Sequence, residues 1–100
     1  MEPELYRIAY AQRTDEVLTE LGKVVNYVKS GPVISLLPRE LNDISARDTS
    51  DVARWQDRID RVLRDPPPMN ATERYWLNEI YELFKVARHR LDELVGTRRI

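Results

Sequence analysis

The chain has 100 residues, of which 42% are hydrophobic and 33% are charged, and its formal net charge at pH 7 is −1. This balance predicts one folded domain with its own core and excludes a disordered chain. The near-neutral charge argues against a general nucleic-acid-binding surface. The absence of cysteine excludes disulfides, thiolate catalysis and cysteine-ligated metals.

The N-terminus lacks the basic leader of a secretory signal, because Glu2 and Glu4 stand where basic residues would be needed. No apolar run approaches the roughly 18 residues of a membrane-spanning helix. We therefore expect a cytoplasmic protein that does not enter a membrane.

The first predicted helix covers residues 3–29. Acidic residues at its start suit the positive end of a helix dipole, and Ser30-Gly31-Pro32 is typical of a helix end. Gly22 lies in the middle of this helix, where glycine is unfavourable. Its presence indicates either the close approach of another helix or a bend.

The buried side of the first helix follows from the spacing of its apolar and aromatic residues. Leu5 and Ile8 fall outside this line and are predicted to point elsewhere. The predicted buried stripe consists of Tyr6, Tyr10, Val17, Leu21, Val24 and Val28.

The next segment is predicted to cross one end of the domain. Val33, Ile34 and Leu36 form an apolar, partly β-branched cluster that favours an extended segment. Pro38 then opens a predicted short helix over residues 38–47. Leu37, Leu41 and Ile44 provide its 4-3 spacing.

The third predicted helix covers residues 49–64. Asp48, Thr49 or Ser50 can cap its N-terminus, and Asp51 suits its first turn. Three consecutive prolines from position 66 end it. Its narrow apolar side is predicted to consist of Val52, Trp55, Ile59 and Val62.

The last predicted helix covers residues 71–95 and organises the domain. Asn70 or Thr72 can cap its N-terminus, and Gly96 is the predicted stop. Its apolar stripe spans roughly 160°, which is wide enough to contact at least two neighbours. The central line of the stripe is Leu77, Ile80, Phe84, Ala87, Leu91 and Leu94.

The width of this stripe leaves two alternatives. Either residues 33–44 cover part of it within the chain, or a second copy or another protein does. The sequence thus predicts an all-α fold for residues 1–100: a single-domain bundle of three long amphipathic helices plus one short helix.

The side chains that commonly act in catalysis do not form a recognisable catalytic site in this sequence. His89 is the only histidine and falls on a polar helix face, and no glycine-rich phosphate loop is present. No metal-ligand spacing is present either. We therefore predict that the protein is not an enzyme and uses no cofactor or metal.

Protein–protein interaction is the predicted function, as in a small adaptor, regulator or inhibitory accessory protein of bacterial or phage type. The partner would be another protein or a second copy, as in a homodimer. Exposed or misplaced residues of the last helix are the candidates for the contact. Arg88 breaks the apolar stripe, either as an edge residue or at an interface. The predicted partner-binding residues are Tyr75, Tyr81, Val86, Arg88, His89 and Arg90.

The alternative is a DNA-binding transcriptional regulator. A short helix, a turn and the helix over residues 49–64 would form a helix-turn-helix, with Arg54, Arg58 and Arg61 on the nucleic acid. Asp48 and Asp51 weigh against it, because they stand where phosphates and base edges would be met.

Overall fold

The computed structural model describes residues 2–98 and contains four α-helices. These are α1 (Glu2–Ala9), α2 (Thr14–Ser30), α3 (Thr49–Arg64) and α4 (Ala71–Arg98). Two 3₁₀ turns, Pro32–Leu36 and Arg39–Leu41, connect α2 to α3. The described residues contain no strand. The prediction of an all-α bundle with three long helices and one short helix is confirmed, although the short helix is α1.

Helix α4 is the centre of the fold and contacts each of the other three helices and the first 3₁₀ turn. Its N-terminus is capped reciprocally, because the Asn70 side chain accepts from the Glu73 N–H (2.8 Å) and the Glu73 carboxylate accepts from the Asn70 N–H (3.0 Å). The predicted stop at Gly96 is wrong, since α4 continues to Arg98. No described glycine has a positive φ, so Gly96 forms no left-handed cap.

Most of the wide stripe of α4 is covered within the chain, although Val95 near its C-terminal end is 39% exposed. Helices α1 and α2 and the first 3₁₀ turn pack on α4, and Leu83, at the stripe's edge, is only 1% exposed. Ile44, from the segment before α3, lines a void of about 10 Å³ with Ile80 and Phe84. This void is at the lower limit of the volume that one water needs, and its lining is entirely apolar, so it offers a water no hydrogen-bond partner. The core therefore does not require a second copy or a partner to be complete.

The first predicted helix is broken in two, because residues 10–13 are not helical. The polar groups freed by the break bind side chains. The Gln12 N–H donates to the Glu16 carboxylate (3.1 Å), and the Gln12 side-chain amide donates to the Tyr10 carbonyl (3.2 Å). Arg13 is extended, at φ −138° and ψ 154°, and α2 starts afresh at Thr14.

This break reverses the predicted inner side of the first segment. Ile8 is fully buried, whereas Tyr6 and Tyr10 are 54% and 72% exposed. The prediction that both tyrosines continue the stripe of Val17 and Leu21 is therefore wrong. The predicted stripe assumes one continuous helix. The irregular residues 10–13 rotate α1 relative to α2, so the periodicity does not continue from one helix to the other.

The predicted helix over residues 38–47 is also wrong, because only Arg39–Leu41 forms a 3₁₀ turn. The apolar residues still point inward, and Leu41 and Ile44 are both at most 1% exposed. A helix cannot continue to residue 47, since the Arg47 N–H donates to the Asp51 carboxylate (3.0 Å) instead of to a helical carbonyl.

Helix α3 begins as predicted. The Asp48 carboxylate accepts from the Asp51 N–H (2.9 Å), which makes Asp48 the N-cap. Two hydrogen bonds lower the pKa of Asp48 from its ordinary value. The larger effect comes from the Ser50 hydroxyl and the smaller one from the Asp51 N–H. The cap thus stays ionised, and keeps its full strength, at any pH above the normal range of an aspartate.

Gly22 provides a test of helix propensity within α2. A Cβ added there would meet nothing within 4 Å, so no neighbouring helix explains this glycine. We expect Gly22→Ala to raise the free energy of unfolding by about 0.5–1 kcal/mol, as measured by urea denaturation. Gly31→Ala is the control, because its Cβ would meet the Tyr27 carbonyl oxygen at 3.2 Å and the same gain is not expected. An unchanged or lower stability of Gly22→Ala contradicts the prediction.

Candidate protein-binding face

Arg88 forms intramolecular contacts that join α4 to α3. Its Nη1 atom lies 3.2 Å from Gln56 Oε1 and 3.1 Å from Asp57 Oδ1. Because the Arg88 side chain is still 41% exposed, this ion pair stabilises the fold only modestly.

Arg90 also forms an intramolecular contact. Its Nε atom donates to the backbone carbonyl of Ala11 at 2.7 Å, and its side chain is 20% exposed. Ala11 lies in the break between α1 and α2 and is buried. In a continuous helix a backbone N–H would donate to the Ala11 carbonyl. Here the Arg90 side chain supplies that hydrogen bond instead.

The other four predicted residues do not form one surface. Tyr81 and Val86 are half-buried against the core. His89 is exposed, with its Nε2 atom 3.6 Å from Glu93 Oε1. Tyr75 is 52% exposed and lies in a different groove from Val86 and His89. Whether any of them binds a partner stays a prediction.

The exposed aromatic residues lie around α1 instead. Four tyrosines are more than half exposed, and they account for all but one of the large hydrophobic residues found exposed in the described part of the chain. Tyr6 and Tyr10 stack on the outer side of α1, with ring centroids 6.4 Å apart. Half-buried Trp76 contacts Tyr75 edge-to-face at 5.5 Å. We call this surface the α1 face, defined by Tyr6, Tyr10, Tyr27, Tyr75 and Trp76.

A groove of about 380 Å³ runs along α1 on the side of α2. Tyr27, Trp76 and Val24 supply its apolar surface, and four charged side chains line it as well. Lys23 Nζ lies 3.2 Å from Glu20 Oε1, so these two charges offset each other. The remaining charged residues of this groove are Glu4 and Arg7.

A second groove, of about 340 Å³, runs along α1 on the side of α4. Leu5 and Tyr75 supply its apolar surface, and three glutamates, Glu2, Glu79 and Glu82, line it. Glu79 and Glu82 form no ion pair with any residue that the structure describes. The two grooves therefore differ in charge, and each has one exposed tyrosine in its lining, Tyr27 on the α2 side and Tyr75 on the α4 side.

Sequence reasoning missed Tyr6, Tyr10, Tyr27 and Trp76 as candidate binding residues. The sequence contained a signal for this. Thr14-Asp15-Glu16 is typical of a helix N-terminus, so it indicates that a new helix begins at residue 14 and that the first helix ends before it. With that boundary, the tyrosines of the first segment would no longer share a stripe with Val17.

The arginines proposed for DNA binding lie on α3. Arg54 pairs with Asp51, and the guanidinium of Arg58 lies 4.8 Å from the centroid of the Trp55 ring. The segment before α3 contains a 3₁₀ turn rather than an α-helix, so the first helix of a helix-turn-helix is missing. This geometry does not favour the DNA-binding alternative.

Comparisons with known proteins place no constraint on this site, because no family model, curated protein or solved structure matches the chain. Within residues 2–98, no group of three or more His, Asp or Glu side chains is arranged to hold a metal ion. No helix in that range has both the length and the apolar character needed to cross a bilayer.

Proposed function

We propose that this chain is a non-enzymatic protein-binding module, of adaptor, regulator or inhibitor type, which acts through the α1 face. The observation that carries the proposal is the gathering of Tyr6, Tyr10, Tyr27 and Tyr75 around one short helix, each more than half exposed. Tyrosine is enriched at protein interfaces, because it offers a large amphipathic surface at a low cost in side-chain entropy. A cytoplasmic location belongs to the same proposal.

The size of the aromatic surface supports this function. At about 200 Å² for a whole tyrosine side chain, the exposed fractions of these four residues amount to about 470 Å². A contiguous apolar patch of this size on a monomer is often functional. The core provides no competing explanation, because most of the stripe of α4 is already covered from within.

The test is a pull-down from native lysate with the tagged chain and with the double variant Tyr6→Ser, Tyr10→Ser. Both tyrosines are exposed, so the variant should fold normally, which circular dichroism can check. We expect the recovery of a defined protein partner to fall at least about tenfold, since truncating an aromatic hot-spot residue costs about 2 kcal/mol or more.

The matched control is the double variant Lys85→Ser, His89→Ser, which alters exposed residues on the other surface of α4. It should bind like the unmodified chain. A loss of binding in this control alone would favour the surface around His89. Partners that disappear after nuclease treatment would instead support nucleic-acid binding.

A further inference from the structure

The charges beside the α1 face are unevenly divided between its two grooves. On the α4 side, Glu79 and Glu82 form no ion pair with any described residue, and Glu2 only accepts from the Tyr6 hydroxyl at 3.5 Å. On the α2 side, Arg7 is exposed and forms no hydrogen bond or ion pair within the described part of the chain. The α4-side groove is therefore acidic, whereas the α2-side groove, which also contains Glu4, Glu20 and Lys23, contributes one cation, Arg7.

The two grooves also lie at the same height along α1. The α4-side groove is lined by Leu5 together with Glu79 and Glu82, and the α2-side groove by Glu4 and Arg7. A two-fold axis parallel to α1 leaves the helix direction unchanged. It places the α4-side groove of one copy opposite the α2-side groove of the other copy. Two copies facing each other across such an axis therefore bring each acidic groove onto the other copy's Arg7.

We propose that the α1 face binds a second copy of this chain across a two-fold axis parallel to α1, with Arg7 of each copy paired to Glu79 and Glu82 of the other. Tyr6 and Tyr10 of the two copies pack together at the centre. This inference rests on the proposed function and names the partner of the same surface.

The exposed tyrosines provide more than half of the area that such a pair needs. A standard interface buries about 800 Å² on each partner, and the four tyrosines alone provide about 470 Å². Glu2, Arg7, Glu79 and Glu82 flank them and can supply much of the remainder. Three carboxylates attract a side-chain cation, and Arg7 of a second copy is the cation that the two-fold arrangement brings to them.

The first measurement is the mass of the purified chain by sedimentation and by light scattering, at chain concentrations from about 1 μM to about 1 mM. We expect the mass to rise with concentration from 11.8 kDa to twice that value. Raising the salt concentration should weaken the association, because the Arg7 pairs lie near the surface. A mass of 11.8 kDa throughout the range overturns the inference.

Charge reversal tests the pairing itself. Arg7→Glu and the double variant Glu79→Arg, Glu82→Arg should each weaken dimerisation at least about tenfold, and combining all three should restore most of the loss, because the pairs reform with their signs exchanged. The matched control is Arg61→Glu, which makes the same charge change on the exposed side of α3 and should leave the dimer intact.

A dimer that ignores these reversals, or that is not restored by the combined variant, contradicts the inference. Its failure can be told apart from failure of the proposed function. A monomeric chain that still captures a different protein, and loses it in Tyr6→Ser, Tyr10→Ser, overturns the second copy as the partner and leaves the binding face in place.

Discussion

Replacing Asp51 with alanine is expected to lower the free energy of unfolding by about 2–3 kcal/mol, the largest effect of a single substitution that we predict. Asp51 is the one charged residue found buried in the described part of the chain, at 7% exposure. Its carboxylate accepts from the Ser45 hydroxyl and from the Arg47 N–H, both at 3.0 Å, and from the Arg54 guanidinium. Removing it leaves partly buried donors without an acceptor.

The loss should be measured by urea denaturation followed by circular dichroism. Asp43→Ala is the matched control, because Asp43 is an exposed aspartate in the same connecting segment and surface substitutions usually change stability by less than about 0.5 kcal/mol. Asp51→Asn should fall between the two, since it keeps an acceptor and loses the charge. Equal stability of the Asp51 and Asp43 variants would show that the carboxylate does not hold this segment.

The second large effect is expected at Arg90. Arg90→Ala removes the donor to the Ala11 carbonyl and should lower the free energy of unfolding by about 2 kcal/mol, because a buried acceptor left unpaired costs about 1–3 kcal/mol. The packing of the arginine stem adds to the loss. Arg90→Lys can restore one hydrogen bond and should recover part of the stability.

Arg88→Ala is the control for this experiment. Arg88 also joins two elements, but its ion pair with Asp57 is between side chains that are 41% and 60% exposed, so its loss should cost less than about 1 kcal/mol. Hydrogen exchange adds a local measurement, since Arg90→Ala should accelerate exchange in α1 more than in α3. If Arg90→Ala accelerates hydrogen exchange equally in α1 and α3, or does not lower the free energy of unfolding, Arg90 does not hold α1 on the rest of the domain.

The Arg90 variant also connects stability to binding. The α1 face depends on α1 staying docked on α2 and α4, and Arg90 holds the residue that follows this helix. If α1 carries the interface, Arg90→Ala should reduce partner binding even though Arg90 is not one of the exposed tyrosines that form the α1 face.

Helices α3 and α4 show which parts of the fold local rules can predict. Their N-terminal boundaries follow from neighbouring residues: Asp48 caps α3, and Asn70 with Glu73 caps α4. Their buried sides follow from uninterrupted periodicity, and Val52, Trp55, Leu77 and Phe84 are all buried as expected. Even within the wrongly predicted segment 38–47, hydrophobicity correctly identified Leu41 and Ile44 as core residues.

The candidate site shows the opposite case. The sequence alone determined the helical class, the central helix and most of the core, because these depend on caps and on spacing along one element. Tertiary structure decided where the first helix breaks and where Arg88 and Arg90 bind. Arg90 satisfies the carbonyl of Ala11, 79 positions earlier, and such a contact leaves no trace in local periodicity. That break turns Tyr6 and Tyr10 outward, so the surface proposed for binding exists only once the chain is folded.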